Sequence, residues 1–261
     1  MNKRPIGMLD SGVGGLTVYK EVRKKFPNED IVYFGDTKSF PYGNKSKESI
    51  IELARAGVEF LISKNVKLIV IACGTATSQA LDTLKNEYDI PIIGIIKPTA
   101  KFIAENENIK NVGVIATNGT IRSNCWENTL KKLNKSLHVE NRACPMLAPM
   151  AEEGWTENEI AKLAIHEYIK DFSKIDALVL GCTHYPLYTK ILEEELPNVK
   201  IINTGTMIAY EIEKILNAGL KNNNENSGKL DIYLSDTECN FIDVAKKILN
   251  VSKLDVKQCE I

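Results

Sequence analysis

The sequence offers no excess of either charge, little histidine and no long apolar run, and each shortage removes a class of function. Lys and Arg number 33 against 34 Asp and Glu, a net charge of -1. A broad basic face for nucleic acid is therefore excluded. The three histidines, His138, His166 and His184, lack HExxH or any similar ligand spacing. The six cysteines, Cys73, Cys125, Cys144, Cys182, Cys239 and Cys259, include no CxxC pair. That removes thioredoxin-type and common zinc patterns, and a chain of 261 residues is too long for a small disulfide scaffold. No metal is expected. The longest uncharged run around the third candidate strand, Leu68 to Leu81, contains Thr75, Thr77, Ser78 and Gln79. It falls short of the ~20 apolar residues of a membrane span. Met1-Asn2-Lys3-Arg4-Pro5 leads into an apolar run that breaks at Asp10, unlike a secretory signal. There is no GxxxxGK[ST] loop. A cytoplasmic protein acting on a small molecule, with neither nucleic acid nor membrane as partner, is the starting expectation.

What is present reads as α/β. Runs at Ile6–Leu9, Ile31–Phe34, Leu68–Ala72, Ile90–Ile96, Val112–Ala116, Leu137–Val139, Ala177–Leu180, Val199–Ile202 and Leu230–Leu234 read as strands. Several are unbroken Ile/Val/Leu rows, as parallel strands buried on both faces require. Helical stripes lie between them. Thr156 to Glu159 reads as a capping box, followed by Ile160, Leu163, Ala164 and Ile169; Phe241, Val244, Ala245, Ile248 and Leu249 form a second stripe. The polar stretch Leu220 to Gly228 reads as a surface loop.

A weak internal repeat refines the picture. Leu68-Ile69-Val70-Ile71-Ala72-Cys73 is echoed by Ala177-Leu178-Val179-Leu180-Gly181-Cys182, with the cysteines 109 residues apart (182 − 73). Ile6-Gly7-Met8-Leu9-Asp10 is echoed by Gly113-Val114-Ile115-Ala116-Thr117, an offset of 107 (117 − 10). These matches predict two pseudo-symmetric lobes, each a mostly parallel sheet flanked by helices, with the active site in the cleft between them. The expected limits are 1–96 plus 209–261 for the first lobe and 97–208 for the second. Ligands of such sheets bind at the carboxyl ends of the strands.

Both repeated cysteines fall there. A thiol at a strand-to-helix turn is expected to have a lowered pKa from the helix dipole and free N–H groups. Two such thiols, one on each side of a substrate carbon, suit stereoinversion: one removes a proton, the other returns one to the opposite face. At this point the motifs are informative together. Asp10-Ser11-Gly12-Val13-Gly14-Gly15-Leu16, Pro41-Tyr42-Gly43, Cys73 with Thr75, and Gly181-Cys182-Thr183-His184-Tyr185-Pro186-Leu187 resemble the cofactor-independent glutamate racemases. Aspartate and other amino-acid racemases are the wider relatives.

The resemblance implies a cytosolic homodimer that supplies D-glutamate for peptidoglycan without a cofactor. It implies Cys73 and Cys182 as catalytic acid/base residues, with Asp10 assisting the first and His184 the second. Asp10, Ser11, Pro41, Tyr42, Gly43, Gly74, Thr75, Thr117, Thr120, Glu152, Thr183 and His184 are its implied substrate contacts, and Asp36 and Glu152 resemble family carboxylates near the site. The chain departs from the family pattern at Gly74, where Asn is usual, at Lys97-Pro98-Thr99 for Glu-Pro-Gly, and at Asn203-Thr204-Gly205 for Asp-Ser-Ala. These changes bear on the choice of substrate. An aspartate or other amino-acid racemase is the nearer alternative. A non-catalytic two-lobed protein closing on a small anion is the alternative of another class. Gly12-Val13-Gly14-Gly15-Leu16-Thr17 also imitates part of a dinucleotide fingerprint, with Thr17 in place of the third glycine.

Overall fold

A computed structural model describes residues 3–220, 227–237 and 240–260. Ten strands are assigned there: β1 Ile6–Asp10, β2 Ile31–Gly35, β3 Leu68–Ile71, β4 Ile92–Gly94, β5 Asn111–Ala116, β6 His138–Ala143, β7 Ala177–Leu180, β8 Lys200–Asn203, β9 Leu230–Leu234 and β10 Val256–Gln258. They form two sheets. One has the order β10-β9-β2-β1-β3-β4 and the other β6-β5-β7-β8, and every assigned strand pair is parallel. Four strands of the first, β2-β1-β3-β4, repeat the order of the second, and β9 and β10 extend the first sheet beyond β2. The expected α/β architecture of two parallel sheets flanked by helices is the observed one.

The unbroken apolar rows mark the inner strands: β1, β2, β3 and β7 are buried along their whole length. Two strands escaped this signal for the opposite reason. Strand β6 is polar and only partly buried, so the sequence reading caught its first two residues and missed Glu140 to Ala143. Strand β10 is three residues at an exposed edge, with no run to read. The run Ile90–Ile96 is corrected to a strand at Ile92–Gly94. Ile96 opens the helix Ile96–Ala104, where Pro98 sits in the first turn and costs no intrahelical bond.

The capping box at Thr156 is also corrected. The helix Glu159–Ile169 begins later, with Asn158 as its cap accepting from the Ala161 N–H at 2.9 Å. Its inner face is Ala161, Ile165 and Ile169, while Ile160 and Leu163 face outward. The C-terminal stripe holds: Phe241, Val244, Ala245 and Ile248 are buried. Residues 221–226 of the expected surface loop lie outside the described residues, as does Cys239.

The register of the two sheets aligns the repeat. Leu9 pairs Ile71 in the first sheet, and Ile115 pairs Leu180 in the second. The Ala72 N–H donates to the Leu9 carbonyl as the Gly181 N–H donates to that of Ile115. Cys73 and Cys182 are therefore equivalent, as the sequence echo has them. The other echo slips by one: Asp10 matches Ala116, not Thr117, since the Asp36 N–H bonds the Asp10 carbonyl as the Cys144 N–H bonds that of Ala116. The expected lobe limits at 96/97 and 208/209 fall inside the helices Ile96–Ala104 and Thr204–Ile215. One cluster of buried side chains runs through both sheets, from Ile6 and Met8 to Ala177 and Val179. No helix among the described residues is long and apolar enough to cross a membrane.

Candidate active site

The carboxyl ends of β1, β3, β5 and β7 carry Asp10, Cys73, Thr117 and Cys182 with their neighbours, while Asp36, Pro41, Tyr42 and Gly43 follow β2 and Glu152 ends the helix Leu147–Glu152. Cys73 caps the helix Gly74–Glu87, and its sulfur accepts from the Ala76 N–H at 3.5 Å. The Ser11 hydroxyl lies 3.6 Å from the same sulfur. Cys73 is buried, and burial pushes its thiol up to about 12; the negative charge of Asp10 adds to this, against the smaller pull of the two hydrogen bonds. The lowered value expected from the helix dipole is thus corrected. Removal from water outweighs a dipole and two weak contacts to sulfur.

Asp10 is fully buried at the end of β1. Its Oδ2 accepts from the Gly12 N–H and its Oδ1 from the Thr183 hydroxyl, both at 3.1 Å. Burial raises its carboxyl to about 6, opposed first by the charge on His184. The two cysteine turns meet: a Cβ at Gly74 would lie 3.8 Å from the Cys182 Cα, and both cysteines are buried. They therefore share one buried region.

Cys182 does not start a regular helix; a 3-10 turn, Tyr185–Tyr188, follows. Its sulfur lies 3.6 Å from His184 Nδ1, and His184 Nε2 lies 2.7 Å from Glu152 Oε1. Burial alone would favour neutral imidazole. The hydrogen bonds and negative charges of Cys182 and Glu152 outweigh it and raise His184 well above its ordinary value. Glu152 Oε1 accepts also from the Val13 N–H, at 2.8 Å. Gly12 and Gly14 leave room for this: a Cβ at Gly12 would meet Glu152 Oε1, and one at Gly14 would lie 2.5 Å from His184 Nδ1. The glycines that imitate a dinucleotide turn instead admit side chains from the other half of the molecule.

Three hydroxyls close the opposite side. Thr75 Oγ1 is 2.8 Å from Thr117 Oγ1, which is 3.0 Å from Thr120 Oγ1. Gly43 packs on Thr117. Tyr42 is buried beside them, but its hydroxyl donates to Asp36 Oδ2 at 2.7 Å, and Asp36 Oδ1 accepts from Ser235 at the same length. Asp36 thus ties the loop to the residue that follows β9. Pro41 follows Phe40 through a cis peptide bond, and the Phe40 ring packs 5.5 Å from that of His184.

Gly74 has a local reason. A Cβ there would collide with the Gly181 carbonyl oxygen, so the two cysteine turns meet backbone to backbone. The other departures lie elsewhere: Lys97 is exposed, and Asn203 caps the helix Thr204–Ile215 by accepting from the Gly205 N–H at 2.8 Å. A cavity of about 400 Å³ lined by Gly12, Phe40, Pro149 and Glu152 opens beside the site. Three larger ones, about 870, 880 and 650 Å³, are not lined by either thiol.

Sequence reasoning missed four contributors. Tyr33 donates to the Gly12 carbonyl, Thr17 donates to the Thr183 carbonyl at 2.8 Å, Gln79 donates to the Gly119 carbonyl, and Phe40 flanks His184. Nothing in their spacing marks them, since each acts through a backbone group or a ring face brought in by folding.

Two parallel α/β sheets whose strand ends share a pair of buried thiols define the class. The chain belongs to the Asp/Glu/hydantoin racemase family, whose pattern matches residues 7–212. It is 44% identical over 248 residues to the glutamate racemase of Sulfurihydrogenibium sp. strain YO3AOP1, covering 94% of this chain and 93% of that one. Among solved structures it resembles the glutamate racemase of Francisella tularensis in complex with D-glutamate, with TM-score 0.92 and 33% identity over 100% of this chain and 98% of that one. A glutamate racemase isoform from Bacillus anthracis has TM-score 0.92 and 34% identity, over 99% and 97% of the two chains.

Proposed function

We propose that this chain interconverts L- and D-glutamate without a cofactor, using Cys73 and Cys182 on opposite faces of the substrate Cα. The observation that carries the reading is the pair of buried thiols at equivalent strand ends, each with its own ionisable neighbour. The full-length likeness to glutamate racemases supports glutamate over the aspartate alternative.

In one direction Cys182 takes the α-proton, with the His184 imidazolium beside it, and the Cys73 thiol delivers a proton to the other face. Two electrons stay on carbon between the steps, and the reverse direction exchanges the roles. Asp10, with a carboxyl near pH 6, is suited to reset the proton on the Cys73 side. Ser11, Gly43, Gly74, Thr75, Thr117, Thr120 and Thr183 would supply hydroxyl and backbone N–H donors to the substrate's carboxylates, and hydroxyl or carbonyl oxygens as acceptors for its ammonium. Pro41 and Tyr42 would shape the loop over them. We assign residues 1–96 with 209–261 to one lobe and 97–208 to the other. The lobes must part to admit substrate, because the cysteine turns touch at Gly74 and Gly181.

The same reading makes the enzyme a cytoplasmic source of D-glutamate for peptidoglycan. It also makes it a homodimer, for which the uncovered Met146, Trp155, Ile160 and Leu163 provide apolar surface. Sedimentation at the mass of one chain would remove the dimer. The decisive experiment is incubation with L-glutamate in D₂O without pyridoxal phosphate. Optical rotation should decay as deuterium enters Cα. No exchange with glutamate or aspartate defeats the reading and leaves the binding protein standing.

A further inference from the structure

Tyr33 lies in the middle of β2, its ring fully buried and 6.3 Å from that of Phe241 in the C-terminal helix Phe241–Leu249. Its hydroxyl donates to the Gly12 carbonyl at 2.6 Å. That carbonyl and the Val13 N–H are the two ends of one planar peptide unit. The Val13 N–H donates to Glu152 Oε1 at 2.8 Å, and this oxygen is the one 2.7 Å from His184 Nε2. His184 Nδ1 in turn faces the Cys182 sulfur at 3.6 Å. A phenol under the first sheet is therefore joined through one peptide to the imidazole beside Cys182. Rotation of that peptide breaks two hydrogen bonds together, and donation to its carbonyl polarises its N–H toward Glu152. The Asp10 carboxylate is served by other backbone groups, the N–H of the Ser11–Gly12 peptide and that of Gly15, the latter beside the Tyr33 hydroxyl.

We infer that Tyr33 is a positioning residue for the Cys182 half-reaction: it fixes the Gly12–Val13 peptide so that Glu152 orients His184 against the Cys182 sulfur. This rests on the racemase reading. Tyr33→Phe removes the hydroxyl and keeps the ring on Phe241. It should lower kcat/KM about tenfold, the scale of a lost buried hydrogen bond felt in the transition state. Racemisation has an equilibrium constant of one, so this fall is the same from both enantiomers. The primary isotope effect is not bound in that way. With α-deuterated L- and D-glutamate, it should rise for the enantiomer deprotonated by Cys182 and fall for the other. That enantiomer is identified separately, as the one whose α-hydrogen still washes out into D₂O in Cys73→Ser.

Glu152→Gln should give the same skew, an arm that stands whether or not Tyr33→Phe folds. The double variant should lose little more than the worse single one, as expected for groups acting in series. Equal isotope effects for the two enantiomers in either variant, or fully additive losses, overturn the inference. If the wild type itself fails to exchange glutamate's α-hydrogen, the racemase reading falls instead.

Discussion

Cys73 and Cys182 each stand two residues beyond the third strand of a like-ordered sheet, yet they keep different company. Cys73 has a carboxyl, Asp10, from the neighbouring strand end; at the equivalent place in the second sheet stands Ala116. Cys182 has an imidazole, His184, from its own turn; the equivalent residue after Cys73 is Thr75, whose hydroxyl goes to Thr117. The fold is duplicated and the chemistry is not. A site of L-residues cannot be its own mirror image, so two half-reactions related by reflection need not be served by the same helpers. Under the proposed mechanism, the anionic helper keeps the Cys73 thiol protonated and the cationic helper stabilises negative charge at Cys182. Before substrate arrives, the Cys73 sulfur is then held ready to give a proton.

The comparison can be broken most sharply at the sulfurs. Cys73→Ser and Cys182→Ser should each lower racemisation by roughly 10²–10⁴-fold, the range of one acid/base group, as followed by polarimetry. If either retains activity within tenfold of wild type, the two turns do not share a reaction.

The next effect concerns the Asp10 side and is one of stability. Burial holds this carboxyl at about 6, against an ordinary value of 3.8. Between those values the folded protein binds more protons than the unfolded chain, so the contribution of Asp10 to stability declines as pH rises through that window. Asp10→Asn should therefore be more stable than wild type at pH 7, by up to about 3 kcal/mol, with the gain vanishing below about pH 4. Activity should fall at the same time. Denaturant unfolding at pH 3.5 and 7 checks this, and a gain that is independent of pH contradicts the assigned cause.

The smallest effect tests the turns themselves. Gly74→Ala places a Cβ against the Gly181 carbonyl, so it should cost about 1–3 kcal/mol of stability by overpacking. At the equivalent Thr183, whose side chain already bonds Asp10, exchange for Ser should cost less. Equal melting temperatures for wild type and Gly74→Ala would show that the turns separate freely.

Much of this was written in the residues themselves. Unbroken Ile/Val/Leu rows fixed the parallel strands, because a strand covered on both faces has no polar side to display. The repeated cysteines and the Asp10, Thr75, Thr183 and His184 motifs marked strand ends, where a parallel sheet leaves its crevice. Most of polar β6, and all of short β10, were not legible, because these two edge strands bury too little to leave a pattern. Only the tertiary structure decided that Cys73 is held protonated, since that depends on how much water Asp10 and Cys73 lose together. It alone decided that Gly12 and Gly14 admit Glu152 and His184, and that Tyr33 reaches them through a peptide. Local sequence records which groups are available and which face of a strand they take. Charge state and partnership arise from distances and burial between segments far apart along the chain, which no local pattern encodes.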